Sequence, residues 1–121
     1  MIFKDKLYSI IDLSLNEGSI LANVELNASH EVYSGHFPGN PITPGVVQLE
    51  IVREILAVHF DRSYKLKSMK NCKYLAILNP HVNLSVTLRM TVEFVENECV
   101  SVSGDMSAED ITFTKFQALY G

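Results

Sequence analysis

Apolar and polar residues alternate along much of the chain, and this alternation predicts strands. It is clearest over residues 82–94, where every second residue from Val82 onward is apolar. A period of two places the apolar side chains on one face of a strand, so we expect one buried face and one hydrated face. Similar patterns predict strands over residues 7–15, 19–26 and 64–77, another through Val100, Val102 and Met106, and a last one from Ile111.

A different period begins at Pro44 and predicts one long helix that ends near residue 60. Pro44 suits the first helical position, where an N–H would be unpaired anyway, and Thr43 is a candidate N-cap. The helix is apolar around most of its circumference, which is typical of a helix wrapped by other structure. Three of its few polar residues share one side: Glu50, Arg53 and Glu54.

The predicted order is two strands, one helix and four strands, joined mainly by short turns. This order indicates an α+β domain with an antiparallel sheet around one long central helix. In the last strand the apolar phase shifts between Phe113 and Phe116, which predicts a β-bulge. With 121 residues, the chain is expected to form a single domain over residues 1–121.

The composition excludes several classes of function. A net charge of −4 argues against general nucleic-acid binding. No apolar run approaches the roughly eighteen residues of a membrane span, and no signal-peptide core is present, so we expect a soluble cytoplasmic protein. Cys72 and Cys99 lack metal-site spacing and are expected to be reduced. Residues 62–73 nevertheless carry five basic and no acidic side chains: Arg62, Lys65, Lys67, Lys70 and Lys73.

Residues 36–50, HFPGNPITPGVVQLE, contain the candidate chemistry. Gly45 lies in the first helical turn, where its N–H would stabilise a carbonyl oxygen that gains negative charge. Apolar residues flank Glu50, and because burial disfavours an ionised carboxyl, Glu50 is a candidate proton donor. A neutral His36 would accept a proton. The alternative for Glu50 is a structural ion pair with Arg53.

This segment resembles the active-site motif of the FabZ-type β-hydroxyacyl-acyl-carrier-protein dehydratases. In that family, a histidine is followed by Phe-Pro-Gly, two further prolines, Gly-Val, and a glutamate fourteen residues after the histidine. The positions that match in order and spacing are His36, Phe37, Pro38, Gly39, Pro41, Pro44, Gly45, Val46 and Glu50. The resemblance implies the hot-dog fold, in agreement with the predicted α+β order.

The resemblance also implies a reaction, the removal of water from a (3R)-3-hydroxyacyl thioester to give a trans-2-enoyl thioester. His36 would be the base, and Glu50 would protonate or orient the leaving hydroxyl. Gly45, followed by Val46, would form the oxyanion and substrate-binding part. No metal or organic cofactor is implied, because the substrate is carried on the phosphopantetheine arm of acyl carrier protein.

Members of this family are dimers or dimer-based oligomers in which the histidine and the carboxylate of one site come from different protomers. A homodimer, a larger oligomer and a heterodimer with another hot-dog protein all remain open. Carrier proteins are acidic, so the basic residues Arg62, Lys65, Lys67, Lys70 and Lys73 are a candidate docking patch.

One departure from the family concerns Glu54, since many members have Gln four residues after the catalytic glutamate. A second acid there would lie one helical turn from Glu50. The pathway is therefore open between fatty-acid synthesis and specialised polyene or polyketide synthesis, and the acyl chain length is not determined. The alternative functions are a partner-dependent, non-catalytic hot-dog subunit that binds carrier protein, and a hot-dog thioesterase.

Overall fold

The computed structural model describes residues 1–34 and 41–121, and within them six strands form one antiparallel sheet around a long helix. The strands are β1 (Tyr8–Asn16), β2 (Ser19–Leu26), β3 (Leu66–Tyr74), β4 (Ser85–Phe94), β5 (Val100–Ala108) and β6 (Ile111–Tyr120), and the helices are α1 (Glu31–Ser34) and α2 (Gly45–Phe60). The order across the sheet is β1-β2-β4-β5-β6-β3. The predicted α+β architecture is confirmed.

The core lies between α2 and the inner face of the sheet. Every second side chain is buried along β2 and, in β4, from Val86 to Met90. The helix α2 contributes buried residues from more than one side, including Ile51, Val52 and Leu56. Burial of these side chains supplies most of the stabilisation, since each removes apolar surface from water. The prediction of a helix wrapped by other structure is therefore confirmed.

The strand predicted over residues 82–94 begins later than expected, at Ser85. The N–H groups of Val82 and Asn83 both donate to the Asn79 carbonyl, so this part of the chain is a turn. Val82 and Leu84 are consequently exposed, and Phe94 at the far end of β4 is exposed as well, although alternation placed all three on the buried face. In the middle of β4 the alternation predicted the buried face correctly.

The predicted bulge lies in β6. Met106 of β5 pairs with Thr114, but the next residue, Ser107, pairs with Thr112, so Phe113 is the extra residue. Phe113 and Thr114 are both buried as a result. A bulge redirects a side chain, and here it places the Thr114 hydroxyl in the interior.

Two elements near the site differ from expectation. The short helix α1 lies in a stretch predicted to be loop, and β3 is shorter than the predicted 64–77. β3 is an edge strand, with β6 on one side and no partner on the other among the described residues. Within residues 1–34 and 41–121, no helix has the length and apolar character needed to span a membrane.

Candidate active site

The helix α2 begins at Gly45, with Pro44 as its N-cap residue. The prediction that Thr43 caps the helix through its hydroxyl is wrong. That hydroxyl is buried and is hydrogen bonded to the Tyr33 hydroxyl, while the N–H groups of Val47 and Gln48 donate to the Pro44 carbonyl. The first turn of α2 is therefore closed by hydrogen bonds to the Pro44 carbonyl, and no side chain caps it.

The two N–H groups at the start of α2 are available. Within the described part of the chain, neither the Gly45 N–H nor the Val46 N–H has a hydrogen-bond acceptor. Both lie at the positive end of the helix dipole. Val46 is 75% exposed, so this end of the helix faces the protein surface and can meet a ligand.

Tyr74, at the end of β3, packs against Gly45. A Cβ added to Gly45 would overlap the Tyr74 ring. Position 45 therefore requires glycine, because a side chain there would collide with the Tyr74 ring. The ring is half exposed and forms a side wall of the helix N-terminus.

Glu50 forms an ion pair with Arg53. The Arg53 Nε donates to Glu50 Oε1 at 2.9 Å and to Oε2 at 3.0 Å, and the Arg53 Nη2 also donates to Oε1. The Arg53 Nη1 is anchored on the Tyr64 carbonyl at 3.0 Å. These hydrogen bonds to Glu50 raise the pKa of Arg53. The expectation that Glu50 is buried is wrong, because about a quarter of its side chain (26%) is exposed; the alternative of an ion pair is confirmed.

A cavity of about 180 Å³ adjoins this ion pair. It is lined by Val46, Leu49, Glu50, Arg53, Leu66 and Tyr120. Three of the six are aliphatic, so a small apolar group fits the space, with the carboxylate at its edge.

The Tyr120 hydroxyl belongs to the same surroundings. Tyr120 is 1% exposed, and its hydroxyl is the one buried side-chain polar atom of the described residues that has no hydrogen-bond partner. Burial raises the pKa of Tyr120 to about 12, and the charge of Glu50 adds to the rise while Arg53 opposes it. The hydroxyl therefore stays protonated at neutral pH.

Glu54 serves a different purpose from Glu50. It is fully buried and accepts hydrogen bonds from the backbone N–H groups of Ile2, Phe3 and Lys4 and from the Tyr8 hydroxyl. Burial, together with the Glu54 charge, raises the pKa of Tyr8. The departure from the family at this position thus anchors the N-terminal segment, and the two carboxyls bind different groups.

The structure brings together the predicted residues Gly45, Val46 and Glu50 in the first two turns of α2. His36 lies outside the described residues. The predicted docking residues are all exposed, on β3 and just before it: Arg62, Lys65, Lys67, Lys70 and Lys73. Register shifts next to Leu66 and Met69 interrupt strict alternation along β3.

Sequence reasoning missed Tyr74 and Tyr120. Each is one aromatic residue among several in alternating strands, and only the sheet register places them beside α2. No group of metal-ligating side chains occurs in residues 1–34 and 41–121.

Known proteins with similar sequences are dehydratases. The chain is 27% identical over 122 residues to the 3-hydroxyacyl-[acyl-carrier-protein] dehydratase FabZ of Rickettsia akari (strain Hartford), covering 91% of this chain and 81% of the relative. The resemblance to FabZ-type dehydratases is therefore confirmed.

Two solved structures show the same fold. The dehydratase heterocomplex ApeI:P from Xenorhabdus doucetiae aligns with a TM-score of 0.70 and 18% identity, covering 93% of this chain and 96% of that one. A mutant thioesterase from Pseudomonas aeruginosa aligns with a TM-score of 0.68 and 10% identity, covering 98% and 83%. These alignments confirm the hot-dog fold. Residues 12–117 match the family described as ApeI-like, ApeI dehydratase, so the chain belongs to the ApeI-like dehydratase family.

Proposed function

We propose that this protein removes water from a 3-hydroxyacyl thioester carried on acyl carrier protein and leaves a trans-2-enoyl thioester. The observation that carries the proposal is the grouping at one end of α2 of a carboxylate, a small apolar cavity and two N–H groups that have no acceptor among the described residues. In a chain of a dehydratase family, the histidine fourteen residues before that carboxylate supplies the missing base. Mass analysis of a carrier-bound 3-hydroxyacyl chain after incubation tests the proposal, with loss of water as the expected result.

The reaction breaks a C–H bond next to the thioester carbonyl and expels the β-hydroxyl. His36 takes the proton from the α-carbon, and the thioester oxygen gains negative charge. The protonated imidazole then returns that proton to the β-hydroxyl, so that the C–O bond breaks and water leaves. The N–H groups of Gly45 and Val46 lie at a helix N-terminus, where they stabilise such an oxygen. The acyl chain occupies the apolar cavity beside Leu49 and Leu66.

The ion pair defines the role of Glu50. Both of its oxygens accept hydrogen bonds from the Arg53 guanidinium. Of the two roles that the family resemblance implies, orienting the leaving hydroxyl by accepting its hydrogen bond fits this geometry.

A second hot-dog subunit completes the site in this proposal. The free edge of β3 and the end of α2 beside it expose a group of large apolar side chains, namely Val46, Leu66, Tyr74, Leu75 and Ile77. Such a group on an open sheet edge is typical of a surface that another chain covers. The partner is a second copy or another hot-dog protein, and the dehydratase heterocomplex ApeI:P is a precedent for a heteromeric assembly. The assembly acts in the cytoplasm.

Substituting the glycine at the helix start is expected to impair catalysis. In Gly45→Ala, the new Cβ displaces the Tyr74 ring and crowds the N–H groups, so kcat/KM should fall about a hundredfold. The double variant Gly45→Ala/Tyr74→Ala removes the overlap with the ring but keeps the Cβ beside the amides. Full activity in the double variant would contradict crowding of the amides by the Cβ and assign the loss to displacement of the ring.

Reversing charge on the basic residues is expected to weaken recognition of the carrier. In Lys67→Glu/Lys70→Glu, KM for carrier-bound substrate should rise about tenfold at low salt, because the exposed lysines no longer attract an acidic protein. The same acyl chain on free pantetheine is the control and should react unchanged. An equal loss with both substrates would rule out a docking role.

Thioester hydrolysis is the second candidate, favoured by the charged state of the Glu50–Arg53 pair, since a carboxylate also activates water. The two reactions give different products. Hydrolysis releases a free carrier thiol, whereas dehydration keeps the thioester and forms a conjugated enoyl group.

A further inference from the structure

Four polar side chains form a connected chain of hydrogen bonds in the interior. They are Tyr33, Thr43, Gln48 and Thr114, and all are buried. They come from four separate parts of the fold: α1, the residues before α2, α2 itself and β6. An apolar residue would avoid the cost of burying these groups, so the arrangement calls for an explanation beyond stability.

Hydrogen bonds connect these residues without a gap from α1 through α2 to β6. The Tyr33 and Thr43 hydroxyls are hydrogen bonded at 2.9 Å. The Gln48 amide Nε2 donates to the Thr43 carbonyl at 3.1 Å, and the Thr114 hydroxyl donates to Gln48 Oε1. The β6 bulge makes the last link possible, because it turns Thr114 inward next to Phe113.

The backbone reinforces the same point of the fold. The Thr43 N–H donates to the Leu78 carbonyl at 2.8 Å. Thr43 is therefore held through its N–H, its carbonyl and its hydroxyl, each by a different element. A residue held in this way has little freedom to move relative to α2.

The chain of hydrogen bonds spans the segment that bears the candidate base. Tyr33 precedes His36 by three residues and Thr43 follows it by seven. The hydroxyl pair thus joins the two ends of this segment, and Gln48 ties them to the helix that carries Gly45 and Glu50.

We infer that Tyr33, Thr43, Gln48 and Thr114 are positioning residues for the reaction, because they fix the ends of the His36 segment relative to α2 of the same chain. This inference rests on the proposed function. Displacement of a catalytic group by about 1 Å costs up to about a hundredfold in rate. Loss of one link should therefore slow the chemical step while the apolar cavity, and with it substrate binding, stays intact.

Matched variants test the inference. Tyr33→Phe and Thr114→Val each remove one hydroxyl from the hydrogen-bond chain, whereas Tyr8→Phe and Thr87→Val remove comparable hydroxyls that bond Glu54 and Asn23. We expect kcat to fall about tenfold to a hundredfold in the first pair, with KM changed less than threefold. The second pair should keep wild-type kcat, even where its melting temperature falls further.

Two substitutions of Thr43 separate a positioning role from a general effect on folding. Thr43→Ser keeps the hydroxyl that bonds Tyr33 and should keep the wild-type kcat. Thr43→Val preserves the shape of the side chain but removes that hydroxyl, so its kcat should fall. Equal kcat in the Val and Ser variants, or losses in the first pair no greater than in the controls, would overturn the inference. His36→Ala is measured in parallel: if it is fully active, the proposed function itself fails, and if it is inactive while the hydroxyl variants are normal, only the positioning role fails.

Discussion

Replacing His36 by Ala, or Glu50 by Gln, is expected to lower turnover of a carrier-bound 3-hydroxyacyl thioester about a thousandfold. Without the imidazole no group takes the α-proton. In Glu50→Gln a neutral amide, whose NH₂ group faces the Arg53 guanidinium, replaces the carboxylate that accepts from the leaving hydroxyl. Glu50 is partly exposed, so Glu50→Gln should fold normally. Steady-state kinetics checks both variants, with His81→Ala as a control because His81 is exposed and has no place in the proposed reaction. Normal turnover in both variants would reject the site.

The same two variants test whether the site is shared between subunits. If each site takes His36 from one chain and Glu50 from the other, random exchange between equal amounts of the two inactive variants leaves about a quarter of the sites complete. Activity should then reappear on mixing. Continued inactivity after verified subunit exchange would contradict a shared site.

Replacing Glu54 by Gln is expected to cause the largest loss of stability, about 3 kcal/mol. Four donors share the two carboxylate oxygens of Glu54. The glutamine side chain has only one acceptor oxygen. Its NH₂ group would therefore face donors that previously bonded the second oxygen, and these donors would be left without an acceptor. Denaturant unfolding measures the free-energy change.

Glu25→Gln is the matched control for this substitution, because Glu25 is an exposed carboxylate of β2. It should change the free energy of unfolding by less than about 0.5 kcal/mol. If Glu54→Gln were as stable as this control, the anchoring role of Glu54 would be wrong.

The periods of apolar residues along the chain predict most of the secondary-structure elements. The strand at 19–26 was predicted with the bounds of β2, and the helix differs from α2 by one residue at its start. These elements obey periods of two and 3.6 residues because each has a continuous buried face. The phase shift between Phe113 and Phe116 revealed the β6 bulge for the same reason.

Contacts between distant residues were not predictable in this way. Tyr74 lies against Gly45, and Tyr120 beside Glu50, only because β3 and β6 pair in one register. Threonine is a residue type that often caps helices, but the hydroxyl of Thr43 is hydrogen bonded to the Tyr33 hydroxyl instead of to a helix N–H. A local rule fails where a tertiary hydrogen bond offers a better partner.

The most direct test of the central claim is mass analysis of the purified protein's reaction with a panel of carrier-bound 3-hydroxyacyl chains. We expect loss of one water molecule from the acyl chain with the thioester intact, and no such loss with His36→Ala or Glu50→Gln. Release of free carrier thiol, or an unchanged substrate at every chain length both alone and with a hot-dog partner, would contradict it.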